Sequence, residues 1–236
     1  MFKMQSENAN FKKRRWSNLD NNNLVSLKNI TKKFKDTIIL KNINLNINKG
    51  EVVGIIGTNG CGKTTLLRII MGFIYPCKGE VIINGNKIIP GCLGNLPTKV
   101  DALIENPSFL NQFTGFKNLS LLASIRNEVN SIKIKEVMRK VGLDPDNKKP
   151  VSKYSLGMRQ RLGIAQAIME NPSLVLFDEP TNALDTDGIN IFTNIVKEMV
   201  DKGTSFIIVS HRKEDIDNLC DRVYMIENAS MSLYKN

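Results

Sequence analysis

Two short stretches carry residues whose types and spacing can handle a phosphate chain. The first, Gly57-Thr58-Asn59-Gly60-Cys61-Gly62-Lys63-Thr64, fits G-x-x-x-x-G-K-[ST] and is followed by Thr65. Its glycines let backbone N–H groups curl around phosphate oxygens, where side chains would block the approach. A helix opening at Lys63 aims its positive dipole end at the same anion. Lys63 then reaches the β- and γ-phosphates, and the Thr64 hydroxyl is placed to ligate Mg²⁺. The second stretch, Leu174-Val175-Leu176-Phe177-Asp178-Glu179-Pro180, closes an apolar run with two carboxylates. At the carboxyl end of a strand, where α/β sheets bind ligands, Asp178 is positioned to hold Mg²⁺ through water. Glu179 is positioned to orient or deprotonate an attacking water. Acidic pairs at strand ends also cap helices, but no helix begins here until about Thr186.

Both stretches need a sheet to hold them. From residue 24 the pattern is β-like: 24–30, 37–40, then strict alternation over 43–47. The unbroken apolar run at 51–56 reads as a strand covered on both faces, with a helix over 64–71 after the glycine loop. Residues 81–83 and 87–89 flank Asn84-Gly85-Asn86 as a hairpin. Apolar spacing over 118–142 is helical and ends at Gly142-x-Asp144-Pro145. A further helix runs over 156–170, stopped by Asn171-Pro172. Strand 174–177, helix 188–201, strand 206–209, helix 213–220 and strand 222–226 follow. Strands alternating with helices predict a parallel sheet. The expected fold is α/β: a P-loop NTPase core with a parallel sheet, an antiparallel β subdomain, and a helical insert at about 107–170.

Composition sets the outer bounds. The 236 residues are 42% hydrophobic, enough for a sizeable core, so wholesale disorder is excluded. The best apolar run, 69–75, contains Gly72 and falls far short of the ~20 residues a membrane span needs. No apolar stretch follows the N-terminal charges, so no secretory signal is expected. Cys61, Cys77, Cys92 and Cys220 show no metal-ligand spacing with the sole histidine, His211, and fit free thiols in a reducing cytosol. The net charge of +10 favours an anionic partner such as nucleic acid, lipid headgroups or nucleotide. Lysines spread along the whole chain equally describe a solvated surface. One basic run stands apart, Lys12-Lys13-Arg14-Arg15 between Phe11 and Trp16. It sits in an expected mobile tail over residues 1–22, able to touch anionic lipid. The remainder, 23–236, reads as one domain.

Three further features complete a set. Tyr154-Ser155-Leu156-Gly157-Met158-Arg159-Gln160-Arg161 opens a helix before the acidic strand, Asn182-Ala183-Leu184-Asp185 follows Pro180, and His211 follows an apolar strand and Ser210. In this order, with the glycine loop and acidic strand, they resemble the ATP-binding subunit of an ABC transporter over residues 24–228. The resemblance implies two nucleotide-binding domains packed head to tail around two ATP molecules with Mg²⁺. It implies that Gly57, Thr58, Asn59, Gly60, Cys61, Gly62, Lys63, Thr64 and Thr65 hold nucleotide and metal within one subunit. Ser155 and the backbone of Gly157 then cover the γ-phosphate held by the other subunit. Glu179 becomes the general base, His211 steadies the γ-phosphate and water, and Asp185 links the two sites. Phe34 takes the place of the aromatic that stacks on adenine, with a core position as the alternative.

Two departures accompany the likeness. Leu156 and Met158 stand where the common signature has glycine and glutamine, and Glu105 stands where the loop to the helical insert offers glutamine. An acidic residue there can still meet Mg²⁺ and water. With Pro107-Ser108-Phe109 and Phe113-Thr114-Gly115-Phe116-Lys117-Asn118-Leu119, these changes are similar to the bacitracin-resistance and lantibiotic-immunity branch of ABC exporters. The resemblance therefore implies an ATPase, a homodimer, that powers export of a peptide antibiotic or similar amphiphile. It would act at the cytoplasmic face of the membrane through a separate transmembrane permease, whose coupling helix docks on the helical insert. No nucleic acid is expected. The alternatives are a soluble ABC-type ATPase acting on ribosomes or nucleic acid, and a nucleotide sensor with little hydrolysis. Proteins of the first kind usually carry two cassettes or long coiled-coil insertions, and neither is visible here.

Overall fold

Alternation along three buried strands decides the architecture. The computed structural model describes residues 22–91, 99–211, 216 and 219–235. In β3 (Val52–Ile56), β7 (Leu174–Asp178) and β8 (Ser205–Val209) every residue is buried. Successive side chains point to opposite faces of a strand, so one sheet feeds two cores. Val52, Ile56, Val175, Phe177, Phe206 and Ile208 enter one core; Val53, Ile55, Leu174, Leu176, Ile207 and Val209 enter the other. This is why the strands read as continuous apolar runs rather than alternating ones.

The six-stranded sheet runs β10-β9-β3-β8-β7-β6, with β6 at Val100–Leu103, β9 at Arg222–Glu227 and β10 at Ser230–Lys235. All its pairings are parallel except β9 with β10. A second, antiparallel sheet runs β2-β1-β4-β5 and comprises β1 (Asn23–Phe34), β2 (Thr37–Asn48), β4 (Lys78–Ile83) and β5 (Asn86–Lys87). Its buried face and α1 (Lys63–Ile70) close the second core. The first core is covered by α2 (Gly115–Arg126), α3 (Ser131–Lys140), α4 (Leu156–Ile168) and α5 (Thr186–Asp201). There Phe177 meets Phe192 edge-on at 5.2 Å and stacks on Phe206 at 6.1 Å.

The observed elements depart from the sequence-based expectation in several places. The fragments at 24–30 and 37–47 are two 12-residue strands, because Asn29 and Asn42 take positive φ and let the ladder bulge instead of break. The helical stretch expected over 118–142 is two helices. Asn127 ends α2 in the left-handed conformation at φ 56°, and the Asn130 side chain caps α3 through the Lys133 N–H at 2.9 Å. The last long helix begins at Thr186, ahead of the expected residue 188, since Asp185 caps it. The mobile tail expected over 1–22, except Asn22, lies outside the described residues. So do Cys92 and most of the helix expected over 213–220. Among the described residues no helix is long and apolar enough to cross a membrane.

Candidate functional site

Parallel strands align their carboxyl ends, and the chemistry collects on that edge. The glycine loop leaves β3 at Ile56, the acidic pair ends β7, and Ser210-His211 follows β8, which lies between them. The resulting cleft is about 510 Å³. Phe34 and Ile39 wall one part; Asn59, Gly60, Gly62, Lys63, Thr64 and Thr65 form the loop side; Asp178, Glu179 and Glu105 supply carboxylates.

Loop shape follows from its glycines at two positions in particular. Gly62 caps α1 at φ 108°, and a Cβ there would sit 2.9 Å from the Ile39 and Leu40 side chains. A Cβ on Gly57 would sit 2.6 Å from both Cys61 Sγ and the Ile226 carbonyl oxygen. Lys63, 6% exposed, donates to the Gly57 and Thr58 carbonyls at 2.7 and 3.0 Å, which holds the ammonium over the loop. The Thr64 hydroxyl donates to Asp178 Oδ2 at 2.6 Å. Burial pushes the Asp178 carboxyl above its usual range; the Thr64 bond and Lys63 oppose this, while Glu179 and Glu105 add to it. A hydroxyl and a carboxylate, both hard oxygen donors, meet beside a phosphate-shaped loop. That donor set fits Mg²⁺, which typically takes one or two carboxylates and completes its shell with substrate phosphate and water.

Glu179 turns the other way. Its backbone takes φ 51°, unusual for a residue with a side chain, while its N–H donates to the Val209 carbonyl at 2.9 Å. Its Oε2 accepts the His211 backbone N–H at 3.3 Å and faces His211 Nδ1 at 2.9 Å. His211 is thus turned onto Glu179. Neighbouring carboxylates in sequence have become two separate stations, one on the Thr64 hydroxyl and one on an imidazole.

Other expected residues sit differently. Phe34 is 49% exposed with Lys32 Nζ 4.9 Å from its ring centre, so the core alternative does not hold. Glu105, expected at Mg²⁺, lines the same cleft, and its carboxylate lies 2.7 Å from Arg68 of α1. Ser155 caps α4, accepting from the Met158 N–H at 3.2 Å, and does not line the cleft. Gly157 packs inward: a Cβ there would stand 3.0 Å from the Ala183 carbonyl oxygen. Asp185, expected to link two sites, is occupied within the chain. Its Oδ1 accepts from the Gly188 N–H at 2.9 Å and Arg161 at 2.8 Å, and these two bonds hold its carboxyl below the usual range. Gly57, Thr58 and Cys61 form the loop's far side and lie outside the cleft lining. Arg68, Gln160 and Leu156 were not singled out as functional by sequence reasoning; the last two line the cleft. The only signal for those two was their place in the stretch 154–161 that opens a helix before the acidic strand.

Comparison with known proteins follows the same lines. The sequence pattern of the ABC transporter family matches residues 40–182. The uncharacterized ABC transporter ATP-binding protein YybJ of Bacillus subtilis is 42% identical over 84% of this chain and 90% of its own length. The bacitracin transport ATP-binding protein BcrA of Enterococcus faecalis is 34% identical over 89% of this chain and 70% of BcrA. The lantibiotic transport ATP-binding protein SrtF of Streptococcus pyogenes is 32% identical over 90% of both chains. The dimeric post-hydrolysis structure of the ATP-binding cassette MJ0796, bound to ADP and Pi, superposes with a TM-score of 0.79. It is 27% identical and is matched over 90% of this chain and 98% of its own.

Proposed function

The chain belongs to the ABC transporter family, as an ATP-binding and ATP-hydrolysing subunit, and we propose that it powers export of a peptide antibiotic or similar amphiphile through a separate membrane permease. The observation that carries this is the meeting of a phosphate loop, the Thr64–Asp178 pair and Glu179 in one cleft, in a chain whose relatives include bacitracin and lantibiotic transport subunits. The permease would hold the chain at the cytoplasmic face of the membrane. The transport names of the relatives favour this reading over action on ribosomes or nucleic acid.

The residues divide the work as follows. Backbone N–H groups of Asn59, Gly60 and Gly62 to Thr65, at the N-terminus of α1, cradle the phosphates, and Lys63 exchanges its loop carbonyls for the β- and γ-phosphate oxygens. Thr64 and Asp178 would hold Mg²⁺, which when bound neutralises charge on the phosphate oxygens. Glu179 orients the attacking water and takes its proton as the oxygen bonds to the γ-phosphorus and the bond to ADP breaks. His211 keeps the Glu179 carboxylate in place and reaches the γ-phosphate side. Half-exposed Phe34 offers its face to the base, adding affinity with little selectivity. Ser155 and the Gly157 backbone, at an exposed helix N-terminus, face the nucleotide of a second copy.

Turnover per molecule, measured against protein concentration, tests the paired site. It should rise steeply and then saturate as dimers form; a rate independent of concentration refutes the paired site. Affinity isolation from native membranes tests the partner. A polytopic membrane protein should accompany the chain, and RNA with no membrane protein would overturn the transport assignment.

A further inference from the structure

Three contacts lay the first turns of α4 along the segment that follows Glu179. Gly157 meets the Ala183 carbonyl so closely that a Cβ would stand 3.0 Å away. One turn on, the Gln160 side chain, 6% exposed, donates to the Pro180 carbonyl at 3.0 Å. Arg161 then bonds Asp185 at 2.8 Å and reaches the Val141 carbonyl at 3.4 Å. Residues 180–185 are therefore splinted to the helix at both ends and in the middle.

The contact at Pro180 matters most. Pro180 is the residue after Glu179, and Glu179 holds a backbone conformation that a side chain disfavours. Such a residue stays put only when its surroundings over-determine it. On the sheet side Val209 and His211 do so. On the other side Pro180 brings no N–H of its own, and the Gln160 bond to its carbonyl fixes the peptide that follows. Gln160 lies five residues after Ser155, about 7.5 Å along a regular helix. A displacement of the α4 N-terminus is carried to the Pro180 carbonyl without a flexible link.

Resting on the assignment of Glu179 as base and of Ser155 to a second copy's nucleotide, we propose that Gln160 is a positioning residue. It couples engagement of the α4 N-terminus by one nucleotide to the placement of Glu179 at the other. The coupling element is one hydrogen bond from a buried amide, and its loss leaves the glycine loop, Lys63 and the Thr64–Asp178 pair untouched.

The test compares Gln160→Leu, which keeps volume and removes the donor, with Gln160→Glu, Ser155→Ala, the Ser155→Ala/Gln160→Leu double variant and Glu179→Gln. Each is measured for ATP turnover at saturating protein, ATP affinity in dilute protein, and melting temperature. Gln160→Leu should lose about 10- to 100-fold in kcat, the scale of a catalytic group displaced by about 1 Å, with ATP affinity within about twofold of wild type. Gln160→Glu turns an acceptor toward the carbonyl in a cleft already holding Asp178, Glu179, Glu105 and Lys63. Its turnover relative to wild type should recover as pH falls from 8 to 6, because the protonated acid donates again; a merely structural gap would show no such recovery. The double variant should be less impaired than the product of the single effects. Full turnover in Gln160→Leu beside lost turnover in Glu179→Gln removes this inference alone. So do affinity and melting temperature falling in step with kcat, a pH-flat Gln160→Glu deficit, or multiplicative effects in the double variant. Retained turnover in Glu179→Gln removes the base assignment and this inference with it.

Discussion

Asp101 should make the protein less stable at neutral pH than it is in mild acid. It lies on β6, one of the two edge strands of the large sheet, and one of its oxygens is buried without a hydrogen-bond partner among the described residues. Burial pushes its carboxyl from 3.8 up to about 6; Arg126 opposes this at 3.7 Å, while Glu170 and Glu128 reinforce it. Arg126 sits closer to Glu170, at 2.8 Å, so one guanidinium at the end of α2 is shared by two carboxylates. The interval corresponds to about 3 kcal/mol in favour of the protonated form. The side chain is still 21% exposed, and screening leaves roughly half of that. Because the folded-state value is raised, the group costs nothing below about pH 4, and its penalty grows until pH passes about 6. About half the penalty is present at pH 5. Asp101→Asn removes the ionisation and leaves its own pH-independent offset from the buried amide. The informative quantity is therefore the change in the gap between variant and wild type. Between pH 5 and 7.5 the variant should gain about 0.7 kcal/mol relative to wild type, or ~2 °C in melting temperature for a domain of this size. Paired melts across that range supply the measurement. A variant-minus-wild-type difference that stays flat or falls as pH rises would refute the reasoning.

Three further outcomes are expected. Glu179→Gln should bind ATP normally, hydrolyse it at least 100-fold more slowly, and run as an ATP-bound dimer on size exclusion; undiminished turnover would remove Glu179 from the role of base. Ser155→Ala deletes the cap on α4, worth about 1 kcal/mol, so melting should drop by ~2–4 °C. Turnover should fall further than that loss explains, while ATP affinity in dilute protein stays near wild type; equal losses of both would defeat the contact with a second copy. Cys61 Sγ packs beneath Gly57, where a Cβ would come within 2.6 Å of it, so alkylation should force the loop open and abolish ATP binding. Bound nucleotide should slow that modification, and a modified protein with full affinity would contradict the packing argument.

What the sequence made legible was whatever a short stretch dictates by itself. The glycine loop could be placed because its glycines, its lysine and the flanking strand and helix are all local. Continuous apolar runs announced strands buried on both faces, and alternation announced the antiparallel sheet. What stayed hidden depends on partners distant in the chain. Nothing in the stretch around Glu105 announces that Arg68 would take its carboxylate, 37 residues away. Glu51 bonds Arg222 across 171 residues and so ties the turn before β3 to β9, a pairing no periodicity encodes. The split between α2 and α3 was missed for a different reason. Apolar spacing continued through Asn127, and a single left-handed residue outweighed it.

The adjacency of Asp178 and Glu179 explains why the acidic pair closes a strand rather than sitting within a helix. Asp178, still on β7, is directed by the sheet toward Thr64 and keeps a buried carboxyl beside the phosphate loop. Glu179 steps out of the strand with φ 51°, and the turn carries its carboxylate to His211 at the end of β8. In a helix, consecutive residues point about 100° apart and both would keep ordinary backbone. The strand end followed by a left-handed residue gives two carboxylates independent directions within one residue. The conformation at Glu179 costs on the order of 1–2 kcal/mol, and three bonds hold it there: its own N–H to the Val209 carbonyl, the His211 N–H to its carboxylate, and the Gln160 amide to the carbonyl of the next residue, Pro180. A carboxylate maintained against its own backbone preference is sensitive to each of those ties. The helix that would present Ser155 to a second copy supplies one of them. Placement of the proposed base would therefore depend on the same helix that would meet the neighbouring nucleotide.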